Sequence, residues 1–195
     1  MPKFDASTGE CWVRVYREGV AAAVGHDLVF NVGEFSVQVD PANASVRAQF
    51  KADSLRVLGT PAEVDDGEAP GIGGLSARDK SKIEDNLQKK VLQTQRFAVI
   101  SFESTHVTTP VGHDGHHAFE VHGTLSLHGV ERAIRVAVTT QADASVARVR
   151  LHQPDFGIAP FRALMGALKV RADVDIELRL PLGKDALSGL AGGAA

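Results

Sequence analysis

Residues 170–180 read Val-Arg-Ala-Asp-Val-Asp-Ile-Glu-Leu-Arg-Leu, an unbroken alternation of six apolar and five charged side chains. Only an extended strand, whose successive side chains point to opposite faces, can bury one set while the other stays wet. The same period of two recurs elsewhere. Val46, Ala48, Phe50 and Ala52 alternate with Arg47, Gln49, Lys51 and Asp53, and Phe119, Val121, Leu125 and Leu127 alternate with Glu120, His122, Thr124, Ser126 and His128, Gly123 taking the missing apolar place. Weaker versions run through 10–17, 27–32, 34–39, 97–108, 132–140 and 146–152, giving about nine candidate strands. One dry and one wet face per strand favours an antiparallel sheet over a parallel one covered by helices. Short connections such as Glu18-Gly19, 40–43, His128-Gly129-Val130 and 142–144 are hairpin-sized. Many such strands must hide a face and two edges. Closure into a barrel does both, and a two-sheet sandwich is the competing solution.

Two regions break the period. Residues 58–74 are acidic and rich in Gly and Pro, too long for an ordinary connection, and read as a loop or a lid. Ser76, with Asp79 three residues on, then resembles a capping box, and Ile83, Leu87 and Val91 recur every four residues, predicting a helix over about 76–92. Residues 154–166, Pro-Asp-Phe-Gly-Ile-Ala-Pro-Phe-Arg-Ala-Leu-Met-Gly, are apolar for a connection. They predict either a short helical insert completing the core before the last strand or the rim of a cavity. Residues 1–183 form one expected domain, and 184–195, small and Gly-rich, an expected flexible tail.

Composition excludes several classes. With 21 basic and 24 acidic residues scattered along 195 positions, the net charge is −3 and no basic stripe marks a nucleic-acid binder. No run of 18 apolar residues predicts a transmembrane segment. The single cysteine, Cys11, can form no internal disulfide, and the amino-terminal residues show no secretory h-region. A cytoplasmic location is the expectation, or a periplasmic one if a signal peptide has been removed.

Reactive constellations are weak. His113, His116 and His117 crowd one inter-strand loop, where a loosely held metal is conceivable but two of the three are adjacent and no geometry is fixed. His106, His122, His128 and His152 are expected to be solvated or locally bonded. His26-Asp27 could orient an imidazole, yet no Gly-x-Ser-x-Gly elbow or activated thiol accompanies it. Asp173, Asp175 and Glu177 share a strand face with Arg171 and Arg179, which reads as a charge-compensated surface. No dinucleotide fingerprint or phosphate loop is present, so neither catalytic residues, a metal nor a cofactor is assigned.

The ordered set Gly25-His26-Asp27, Ala44-Ser45-Val46-Arg47-Ala48, Ser54-Leu55-Arg56-Val57, Val91-Leu92 and Arg96-Phe97-Ala98-Val99-Ile100-Ser101-Phe102-Glu103-Ser104 resembles the YceI-like family. So does the hairpin Val121-His122-Gly123-Thr124-Leu125-Ser126-Leu127-His128-Gly129-Val130-Glu131-Arg132, followed by Asp155-Phe156-Gly157-Ile158. The resemblance implies an all-β, mainly antiparallel, lipocalin-like closed barrel of about eight strands, and a non-catalytic carrier of a long apolar ligand such as an isoprenoid, quinone or other lipid. Candidate lining residues are Phe30, Phe50, Phe102, Phe119, Leu125 and Val136, with Phe161, Leu164 and Met165 closing the interior. A homodimer is compatible with such a domain. The alternatives are a small hydrolase or metal-dependent enzyme using His26 with Asp27 or the loop histidines, and an interaction domain whose barrel is filled by its own side chains.

Overall fold

The alternation becomes strand burial almost residue by residue. In the computed structural model, which describes residues 1–19, 25–66, 75–108, 117–140 and 144–182, all nine expected strands form. They join three short ones in a sheet of twelve. In chain order the strands are β1 (Lys3–Asp5), β2 (Glu10–Glu18), β3 (Leu28–Val32), β4 (Phe35–Asp40), β5 (Ser45–Lys51), β6 (Leu55–Gly59), β7 (Val99–Val107), β8 (His117–Leu127), β9 (Val130–Thr140), β10 (Ser145–His152), β11 (Arg162–Ala163) and β12 (Leu168–Leu180). All pairings are antiparallel. The hydrogen-bonded path runs β1-β4-β5-β7-β8-β9-β10-β12-β2-β3-β6, with β11 added beside β12.

The closed eight-strand barrel is thereby corrected. Eleven strands form one curled half-barrel path whose ends, β1 and β6, do not pair with each other. The reason lies in a corner. Two stretches that alternation would let run straight are broken, one at Gly33-Glu34 and the other at a 3-10 turn, Ala52–Ser54. Ser54, nearly fully buried, stitches the break. Its hydroxyl donates to the Lys51 carbonyl (2.7 Å) and accepts from the Glu34 N–H (3.0 Å), while its own carbonyl accepts from the Gly33 N–H (3.1 Å). One bent hairpin therefore offers β3 to β2 and β5 to β7.

The helix follows its sequence signature. Ser76 Oγ accepts from the Asp79 N–H (3.1 Å) and Asp79 Oδ2 accepts from the Ser76 N–H (3.2 Å), the reciprocal capping expected. An α-helix, α2 (Ala77–Asn86), continues as a π-helical turn, Leu87–Val91, 15 residues in all. It lies along the unpaired edge of β6. Glu84 Oε1 accepts from the Val57 N–H (2.8 Å), Lys80 donates to the Leu58 carbonyl (2.5 Å), and Gln88 donates to the Asp53 carbonyl (3.2 Å). Side chains thus occupy backbone groups that would otherwise invite another strand.

The expected long loop is shorter than 58–74. Strand β6 extends to Gly59, and a one-turn helix, α1 (Pro61–Asp65), follows with its own capping box between Thr60 and Glu63. Its signal, Thr-Pro-x-Glu, is a helix start hidden within a Gly- and Pro-rich context. Residues 67–74 and the tail from 183 onward lie outside the described residues. The insert before the last strand is two 3-10 turns, Gln153–Phe156 and Leu164–Gly166, separated by β11.

Candidate functional site

The dry faces of the strands do not meet in the middle. They surround a cavity of about 260 Å³ whose wall is drawn from 33 residues, all apolar except Ser145 and Gln153. The last strand shows how the sequence builds it. Val174, Ile176, Leu178 and Leu180 face the cavity, and at ~3.3 Å per residue those alternate positions span roughly 20 Å along the wall. Burial of this face is supplied by curvature, since each strand contributes only one face and the twisted sheet wraps those faces round a common axis.

The helix completes the wall through its π-helical turn. Leu87, Val91 and Leu92 all line the cavity. In a regular α-helix, residues 87 and 92 would diverge by ~140°, at about 100° per residue. The wider π turn, closed by the Leu92 N–H to Leu87 carbonyl bond of 2.8 Å, advances less per residue and brings them onto one side. The two polar side chains on the wall are already engaged. Ser145 Oγ donates to the Leu182 carbonyl (2.5 Å) and lies 2.9 Å from Thr140 Oγ1, and Gln153 Nε2 donates to the Arg171 carbonyl (2.9 Å). Cys11, on the same wall and 1% exposed, has its thiol pushed up to about 12 by burial. No charged group lines the interior.

Of the expected lining residues, Phe50, Phe102, Phe119, Leu125 and Val136 stand on the cavity wall. Phe30 is buried in the main core between its cross-strand partners Val13 and Val57, off the cavity wall. Phe161 is half-buried against a second core cluster that includes Phe156 and Ile158. The Leu164 side chain lies outside the description, and Met165 projects fully into solvent. The wall also takes Val13, Val37, Ile134 and the dry side of β12. The period of two already marked that side as dry, but it distinguishes no cavity-facing valine from a packed one.

The wet face is a lattice of paired charges. Asp173, Asp175 and Glu177 find their partners across the ladder on β10, not along their own strand. His152 Nδ1 lies 2.7 Å from Asp173, Arg150 grips Asp175 with two bonds of 2.6 and 2.9 Å, and Arg148 meets Glu177 at 2.8 Å. Arg150 holds the Asp175 carboxyl below the usual range, against the opposing effect of burial and with help from the Tyr16 hydroxyl. Tyr16 is in turn pushed up, first by burial and then by Asp175.

Among the described residues, His26 and Asp27 do not form an acid-base pair. Asp27 accepts from the Arg17 N–H (2.8 Å) and faces the Arg17 guanidinium at 3.8 Å, while His26 is exposed. In place of the Asp-oriented imidazole of the alternative reading, Arg17 clamps Asp27 and also holds the Gly25 carbonyl. His113 and His116 lie outside the described residues, and only the backbone of His117 is described. Among the described residues no cluster of three metal-ligating side chains occurs. His122 pairs with Glu120 at 3.0 Å. His128 departs from expectation. It occupies the two-residue turn between β8 and β9, with φ of 54° followed by 76° at Gly129, the left-handed pair such a hairpin requires. Its ring packs on Phe97 at 4.2 Å, and its Nε2 is buried without a protein partner.

A hollow, apolar half-barrel with a capping helix is an arrangement found in known proteins. A model of the YceI-like domain matches residues 12–182. The chain belongs to the YceI-like family. Among solved structures with this fold, Burkholderia cenocepacia BcnA superposes with a TM-score of 0.59 at 14% identity, covering 90% of this chain and 97% of that one. A polyisoprenoid-binding domain from Saccharophagus degradans, implicated in plant cell wall breakdown, gives 0.54 at 11% identity over 89% and 96%. The Campylobacter jejuni YceI protein gives 0.51 at 14% identity over 77% and 81%. None of the curated proteins searched matches the chain. At these identities the shared property is the YceI-like fold itself. Among the described residues, no helix is long and apolar enough to cross a membrane.

Proposed function

We propose that the protein is a non-catalytic carrier that holds the apolar tail of a long isoprenoid or other lipid inside its half-barrel. The observation that carries this reading is the cavity of about 260 Å³, walled almost wholly by Val, Leu, Ile and Phe. An apolar cavity of this kind binds apolar matter, and each ligand methylene taken from water contributes about 0.8 kcal/mol. Since no charged group lines the wall and its two polar side chains are already bonded, a phosphate or quinone head belongs outside it. Burying such a group there without a partner would cost several kcal/mol. The likeness to a polyisoprenoid-binding domain supports the same ligand class.

The test is native mass spectrometry of the protein after incubation with a polyprenol, the corresponding polyprenyl phosphate and ubiquinone, with a short-chain alcohol as control. A one-to-one adduct with the long-chain compounds and a raised melting temperature are expected. Absence of any adduct with all three sinks the carrier reading.

A further inference from the structure

Met165 stands where a soluble protein gains nothing from a large apolar side chain. It is 108% exposed relative to a reference chain, the extreme among the described apolar residues. Its backbone is left-handed, with φ of 54°, followed by Gly166 at 89°. That conformation is strained for any residue with a Cβ. The surroundings are empty as well, for a methyl group built on Gly166 would meet no atom within 4 Å. Register fixes how this arises. Ala163 pairs with Leu168 and Arg162 with Lys169, so the intervening residues form a tip that extends beyond the β11·β12 ladder.

The base of the tip carries an electrostatic cost too. Arg162 and Lys169 are direct cross-strand partners, a juxtaposition of like charges that is ordinarily unfavourable. From residue 157 to 172 the chain holds these two cations and Arg171, and no carboxylate. Across β2, Lys169 has Glu18 as its register partner, and Asp27 is engaged by Arg17. No ion pair joins Glu18 to Lys169 among the described residues.

We propose that this tip docks the protein on an anionic lipid surface, Met165 entering the apolar boundary and Arg162 and Lys169 meeting the headgroups. Backbone strain, full apolar exposure and a like-charge pair with a single carboxylate, Glu18, across the ladder from Lys169 come together at one point, and an anionic bilayer relieves the last two together. A protein partner fits less well. A stable protein interface needs about 800 Å² per side, whereas a projecting methionine with flanking cations is the size of an interfacial anchor. The tip follows a segment in which Ile158 stands on the cavity wall and Phe156 is buried. The proposal stands on the tip and does not require the cavity to hold an isoprenoid.

The experiment is co-sedimentation of the full chain with phosphatidylcholine vesicles, with and without phosphatidylglycerol, at low and high salt. Binding to the anionic vesicles, weakened by salt, is expected. Loss of one buried methionine side chain should reduce it about tenfold or more in Met165→Asp, and Arg162→Gln with Lys169→Gln should remove the dependence on phosphatidylglycerol. Met165→Trp should give a blue-shifted emission on binding, relative to the native chain with Trp12 alone. All variants should keep the native melting temperature and the native uptake of polyprenol from detergent solution, which separates failure of docking from failure of the carrier reading. Equal binding by Met165→Asp, or no binding to anionic vesicles, overturns the proposal. So does a concentration-dependent self-association that Met165→Asp abolishes, since the tip would then be a contact between copies.

Discussion

Replacing Ala147 by leucine tests whether the interior is hollow. Ala147 lies on β10 between its cross-strand partners Val138 and Leu178, and all three side chains face the cavity. In a filled core, three added carbons would force neighbours off their rotamers and cost about 1–3 kcal/mol. Here they extend into empty space. At about 0.8 kcal/mol per methylene the transfer gain is at most ~2.4 kcal/mol, and ordering a leucine side chain takes back roughly 0.5–1 kcal/mol. A net gain of about 1–2 kcal/mol corresponds to a rise of roughly 3–6 °C in melting temperature for a chain of this size. The same three carbons occupy room that a ligand would use, so polyprenol affinity should fall about tenfold or more. Urea unfolding at constant m-value measures the first quantity and a binding titration the second. The two must move in opposite directions. A destabilisation of 1 kcal/mol or more would refute the hollow interior, and a stabilised variant with unchanged affinity would place the ligand elsewhere.

Other expectations concern the wall and the wet face. Gly123→Ala should destabilise by about 1–3 kcal/mol in urea unfolding, because its Cβ would sit 2.4 Å from the Glu103 carbonyl oxygen and 2.5 Å from the Phe102 ring, and the carbonyl cannot yield. Asp175 is held below its usual value by Arg150, so its contribution is present above the unfolded-state value near 3.8 and is lost as pH falls through the lower folded value. The stability difference between the native chain and Asp175→Asn should therefore be constant from neutral pH to about 5 and shrink progressively as pH falls below 3.8; a difference that grows on acidification would reverse this sign. Cys11, with its thiol pushed up to about 12 by burial, should resist alkylation at pH 8 in the folded protein and react readily in urea, as followed by mass spectrometry; rapid native labelling would show the wall to be open there.

The strands were legible because the pleat writes itself into the chain. Val170 to Leu180 alternates whether or not anything lies across from it, and the Ser76 to Asp79 capping box marks the helix start with no knowledge of the sheet. What escaped was short or non-local. Strand β6 exists because β3 supplies its partner and α2 covers its edge, and the Thr60 helix is one turn inside a stretch rich in Gly and Pro. The corner at Gly33 and Ser54 depends on hydrogen bonds between residues about twenty apart. His128 illustrates the same limit: its hairpin position was legible from His128-Gly129-Val130, but the packing of its ring against Phe97, remote in the chain, with Nε2 buried, was not.

By itself the sequence determined which face of each strand is dry, where the main helix begins and which family the pattern resembles, since these rest on local periodicity and capping. Only the tertiary structure decided that the dry faces stand apart around a cavity, that the sheet is an open curled path and that Met165 projects outward. The separation of those faces is set by the curvature and register of a dozen strands, a property of the whole sheet that no single alternating segment contains.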